Sequence, residues 1–125
     1  MRAHAAIAIV ALLLSPAGCG RRHAAASPQD DARIARAEQH DIDAALPHTP
    51  HADLIDSYHI DAAELSLYVP APQWKALGEP TQDALKRAMW RAWNASIARH
   101  GQASGRVFLK VYDLAGNDLG SYFER

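Results

Sequence analysis

From Glu79 to His100 the chain carries one sustained helical pattern, and that pattern constrains the fold around it. Leu85, Ala88, Met89, Ala92, Trp93, Ser96 and Ile97 recur at steps of three and four, which makes a single apolar stripe. Trp90 stands at the edge of the stripe, and Arg87, Arg91, Asn94 and Ala98 lie opposite. Arg99 and His100 complement the negative end of the helix dipole, and Gly101 suits the residue just beyond it. A helix apolar along one stripe must bury it against another layer.

The neighbouring segments supply that layer. Glu64-Leu65-Ser66-Leu67-Tyr68-Val69 alternates as a half-buried strand, with Leu65, Leu67 and Val69 on one side. Pro70 and Pro72 stop it, Trp74 and Leu77 share one face of a short helical turn, and Gly78 suits a left-handed cap. Arg106 to Leu114 alternates again, with Val107, Leu109 and Val111 on one side and Phe108, Lys110 and Tyr112 on the other. Ala115-Gly116-Asn117 is turn chemistry, and Leu119 to Glu124 returns as a third strand. The order is strand, helix, strand, strand. A helical crossover makes the first two of these strands parallel. The sequence thus predicts a small two-layer α+β domain over residues 61–125, with one long amphipathic helix packed on a three-stranded sheet.

The far side of that sheet would carry Tyr68, Phe108 and Tyr112, more aromatic surface than a solvated face needs. Two covers are open: a partner, or an upstream helix bearing Ile34, Ile42 and Leu46. That helix would run over residues 28–46, capped by Ser27, opened by Pro28 and ended by Pro47, with Glu38 interrupting its apolar side. Charge divides the chain at the same place. Residues 30–64 hold nine acids and two bases, whereas residues 65–125 hold eight bases and five acids. The acidic half reads as a solvated tether over residues 19–60, with a marginal helix inside it. Overall there are 13 basic and 14 acidic residues, so nucleic acid is not an expected partner.

Catalytic patterns are sparse. There is no Gly-x-Ser-x-Gly elbow, phosphate loop or dinucleotide glycine motif. His40, His48, His51 and His59 fall close together but in a proline-broken stretch without ligand spacing, so no metal or cofactor is expected. Asp113, Asn117 and Asp118 suit a turn better than a calcium loop. Arg87 and Arg91, one helical turn apart, are candidate contacts for an anionic or carboxylate-rich partner.

The N-terminus reads as an address. Arg2 precedes an apolar run from Ala5 to Leu14, too short to span a bilayer, and small residues follow. Leu12 to Cys19 resembles the lipobox of bacterial lipoprotein signal peptides: Ala17 and Gly18 fit the pattern, and Pro16 stands where leucine is usual. The resemblance implies a signal peptide over residues 1–18, lipid on Cys19 and, because Gly20 is not Asp, an outer-membrane position facing the periplasm. Cleavage after Ala17, leaving a soluble periplasmic protein with a free thiol, is the alternative. Cys19 is the only cysteine, and a lone thiol in an oxidising compartment is awkward unless it is consumed. The functional expectation is a membrane-anchored, non-catalytic lipoprotein that binds an envelope protein through Tyr68, Phe108 and Tyr112, with Arg87 and Arg91 as further contacts. The alternatives are an inhibitor or immunity lipoprotein against a periplasmic enzyme, and a small envelope hydrolase or metal-binding protein.

Overall fold

A computed structural model describes residues 27–100 and 105–125; the expected signal peptide over residues 1–18 and the expected lipid site Cys19 lie outside the described residues. The fold is α+β. Helix α1 (Pro28–Ala45) leads through a 3-10 turn (Leu46–His48) and a second one (Ala52–Leu54) into strands β1 (Ser57–Asp61) and β2 (Glu64–Val69). Helices α2 (Ala71–Leu77) and α3 (Glu79–His100) follow, then strands β3 (Phe108–Asp113) and β4 (Asp118–Tyr122). The sheet order is β1-β2-β3-β4. β2 and β3 are parallel, joined by the helical crossover, and the outer pairs β1–β2 and β3–β4 are antiparallel.

The core lies between the helices and one sheet face. Leu65, Leu67, Val69, Leu109 and Val111 are all fully buried, and so are Leu85, Met89 and Trp93 from α3. Two indoles fix α3 over the sheet. Trp93 Nε1 donates to the Ala63 carbonyl at 3.0 Å, and Trp90 Nε1 donates to the Val107 carbonyl at 2.9 Å. One bond reaches the β1–β2 turn and the other the entrance to β3, so the helix is tied to both strands of the parallel pair at their N-terminal end.

Two expectations are corrected. Among the described residues the sheet has four strands, not three. And residues 28–60 are not a solvated tether: Ile42 of α1 is fully buried in the core, and Leu46, Ile55, Tyr58 and Ile60 pack against it. The reason is that α1 lies beside α3 in the helix layer, where one well-placed isoleucine suffices to bury its inner face. Glu38, which interrupts the apolar stripe in sequence, is carried inward with that face and is only 6% exposed. α1 itself starts as its sequence dictates: Pro28 opens the first turn and the Ser27 Oγ accepts from the Asp30 N–H at 3.1 Å.

β1 escaped sequence reasoning for a local reason. Its partner residues Asp61 and Glu64 are joined by Ala62 and Ala63, with Ala62 in the left-handed region at φ 52°. Two-residue hairpins usually place glycine or asparagine there, so the turn carries no signature. Tyr58 and Ile60 do alternate with polar neighbours, but over only five residues in an acidic stretch.

Candidate interaction surface

Among the described residues nothing covers one face of the sheet. All three helices pack on the face that holds Leu65, Leu67 and Val69, so neither α1 nor any other described element covers the opposite side. Of the two covers left open by the sequence, the upstream helix is therefore excluded. Register defines what the bare face presents. Ser57, Tyr68, Tyr112 and Asp118 form one cross-strand row; His59, Ser66, Lys110 and Ser121 form the next; Asp61, Glu64 and Phe108 form the third.

The side chains organise into two aromatic pairs. Tyr68 and Tyr112, direct partners across β2 and β3, stack with ring centroids 5.6 Å apart and planes 23° apart. Phe108 meets Phe123 edge to face at 5.5 Å. Cations sit against both pairs. Lys110 Nζ is 5.7 Å from the Tyr112 ring centroid, and the Arg106 guanidinium lies 4.8 Å over the Phe123 ring. Such contacts contribute about 0.5–1 kcal/mol each at exposed sites and hold long side chains flat on the sheet. Phe123 is 37% exposed, one of two large apolar residues left in solvent among the described residues; the other, Leu114, is at the β3–β4 turn.

One of the two cations on the face is paired with an acid. Lys110 Nζ is 3.3 Å from Asp118 Oδ2, and that carboxylate holds the lysine above its usual range. Asp118 is held low in turn, first by the Gly120 N–H and then by Lys110. Ser66 Oγ donates to Glu64 Oε2 at 3.0 Å. The face thus offers aromatic area framed by the Lys110–Asp118 pair and the Arg106 guanidinium.

The sequence-predicted residues divide into two places. Tyr68, Phe108 and Tyr112 are brought together on the bare face. Arg87 and Arg91 are not: they lie on α3, on the other side of the sheet, and Arg91 Nε pairs with Glu124 Oε2 at 3.4 Å. Phe123 and Arg106 belong to the face and were missed. The available signal was alternation, since Phe123 continues the outward series of Ser121 just past the end of β4.

Other candidate chemistry is consumed by structure. Asp113 Oδ1 accepts from the Ala115 and Asn117 N–H groups at 2.9 and 2.8 Å, and its Oδ2 accepts from Asn117 Nδ2. Those bonds, the Asn117 side chain first, hold its carboxyl below the usual range and leave no oxygen cluster for a cation. Among the described residues no group of three or more His, Cys, Asp or Glu is placed to hold a metal ion. At the seam of α1 and α3, Ser96 Oγ donates to Asp41 Oδ2 at 2.7 Å, and His100 Nε2 reaches the same oxygen at 3.1 Å. Ser96 is fully buried with its proton committed to a carboxylate, so this trio is a helix–helix clasp and not an activated nucleophile. Burial pushes the Asp41 carboxyl upward, but bonds from Ser96, Arg99 and His100 overcome it and hold the group low.

Comparison with known protein families, curated proteins and solved structures finds no match. No described helix is long and apolar enough to cross a membrane.

Proposed function

We propose that this chain is a lipid-anchored protein of the bacterial envelope whose folded unit binds another protein through the bare sheet face, without catalysis. The observation that carries the reading is that face: two aromatic pairs, built from Tyr68, Tyr112, Phe108 and Phe123, which no described element covers. Aromatic residues and arginine are the side chains that most often anchor protein interfaces, because they bury large area at small entropic cost. The lipobox resemblance at Leu12 to Cys19 supports the anchor, and the short chain between Cys19 and Pro28 would keep the domain near the membrane surface.

The test has two arms. Mass analysis of the mature N-terminal peptide should find an acylated Cys19, and Cys19→Ala should move the protein to the soluble fraction. A photoreactive residue at position 112, on the bare face, should then cross-link one discrete envelope protein. Phe108→Ala and Phe123→Ala should remove that cross-link while leaving near-ultraviolet dichroism intact. Cross-linking from exposed α1 positions alone would move the binding surface elsewhere, and an unmodified N-terminus at Gly18 would overturn the anchor.

A further inference from the structure

The sheet has two free edges, and they carry opposite charge. β1 closes one side and β4 the other, and neither pairs further among the described residues. Each edge strand is antiparallel to one member of the parallel pair β2–β3, so β1 and β4 run in the same direction. A second copy shifted sideways would therefore bring its β1 alongside β4 of the first in parallel, continuing the sheet.

Between Arg36 and Lys75 the chain has no lysine or arginine, and five of its seven acids gather at the β1 edge, Glu38 and Asp41 being held at the α1–α3 seam. Asp61 and Glu64 face each other at the β1–β2 turn, and Asp56 enters β1 through its N–H bond to the Tyr68 carbonyl. Asp53 lies in the preceding 3-10 turn, and Asp43 accepts from the Tyr58 hydroxyl on β1. The β4 edge is basic on both flanks. On the helix side, Lys86 Nζ would be 3.6 Å from a Cβ built on Gly120, Arg91 reaches Glu124, and exposed Arg87 is one turn from Arg91. On the bare side stand Lys110 and Arg106. The acids Asp83, Asp118 and Glu124 answer only part of that positive charge.

We propose that copies of this chain associate head to tail, the acidic β1 edge of one seated against the basic β4 edge of the next. The contact is heterologous, so it propagates into short open chains and does not close into a two-fold dimer. Opposite potentials on the two edges steer the encounter and penalise like-to-like pairing. The Asp118 carboxylate accepts the Gly120 N–H at 2.8 Å, which blunts β4 as a general aggregation edge and makes the contact depend on charge. Arg87 and Arg91, remote from the bare face, acquire a role here: they meet a carboxylate-rich surface supplied by the chain itself. The proposal uses the sheet edges and stands independently of what binds the bare face.

Sedimentation velocity on the full chain in mild detergent tests this. Association should weaken at least about tenfold between about 20 mM and about 500 mM salt, because the edge charges are solvent-exposed and screened over about 10 Å at 0.1 M. Asp53→Lys, Asp56→Lys and Asp61→Lys together leave three lysines against Asp43 and Glu64 and make the β1 edge basic; Arg87→Glu with Arg106→Glu makes the β4 edge acidic. Each reversed chain should self-associate at least about tenfold more weakly, and mixing the two should restore association between them. Near-ultraviolet dichroism confirms that both remain folded. A monomer at every concentration in low salt overturns the proposal, as does association that ignores both reversals or a mixture that stays monomeric. Association abolished only by Phe108→Ala would assign the contact to the bare face and overturn it equally.

Discussion

Glu38→Gln should make this protein more stable at neutral pH and leave it unchanged in acid. Glu38 is 6% exposed at the α1–α3 seam, and its Oε2 is buried with no hydrogen-bond partner. Desolvation raises its pKa first; His100 opposes the rise and the Asp41 carboxylate adds to it. A buried polar group left unsatisfied costs about 1–3 kcal/mol, more when charged. Glutamine has the shape of the protonated acid, so the substitution removes the ionisation and little else. The folded-state pKa lies above the unfolded one. Protonated Glu38 is therefore tolerated below its unfolded pKa, and stability is lost as pH rises through the folded value. The variant's advantage should be near zero around pH 3 and reach about 1–2 kcal/mol at pH 7, equivalent to about 4–8 °C in Tm per kcal/mol for a domain of this size. Asp41 titrates in the opposite sense in both proteins: its held-low carboxyl contributes above its unfolded pKa and is lost as pH falls, so that common loss drops out of the difference and only its coupling to ionised Glu38 remains. Urea unfolding followed by tryptophan emission from pH 3 to pH 8 reads the difference, since Trp74, Trp90 and Trp93 are all buried. A variant less stable than the parent at pH 7, or an advantage independent of pH, would refute the reasoning.

Three further outcomes follow from the packing. Ile42→Ala should cost about 2–5 kcal/mol in urea unfolding, because its side chain is fully buried; a loss below about 0.5 kcal/mol would return α1 to the role of a tether. Trp93→Phe should cost about 1–3 kcal/mol through the lost bond to the Ala63 carbonyl and the lost ring volume, and hydrogen exchange should quicken at the β1–β2 turn before it does in β3. Ala62→Asn should raise stability by about 0.5–1 kcal/mol, measured as an increase in Tm, because asparagine tolerates the left-handed conformation held at φ 52°.

Particular residues show where sequence reasoning reached and where it stopped. α3 was readable at both ends, Glu79 and His100, because a 3,4 stripe and its flanking signals are local. β2 was readable at both ends for the same reason, through clean alternation. Tyr68, Phe108 and Tyr112 were placed on one face because a strand's period of two decides that without any tertiary knowledge. β1 was not found, because its turn uses Ala62 and Ala63, which carry no turn signal, and its acids read as solvent exposure. The site was incomplete for a related reason. Phe123 joins Phe108 only through the β3–β4 register, and Arg106 reaches Phe123 only once the chain has folded back.

By itself, then, the sequence determined the periodic elements, the composition of the two faces of the central strands and the uneven division of charge along the chain. Each of these depends on neighbours within a few positions, and short-range sterics and solvation suffice to specify them. Only the tertiary structure decided that α1 lies beside α3 and not beneath the sheet, which leaves one face bare. It also decided that β1, from the acidic half, and β4, from the basic half, are the two edges of one sheet. Those outcomes turn on long-range burial: Ile42 enters the same core as Leu67 and Met89, from far along the chain, and no local pattern encodes which of two apolar surfaces a helix will cover.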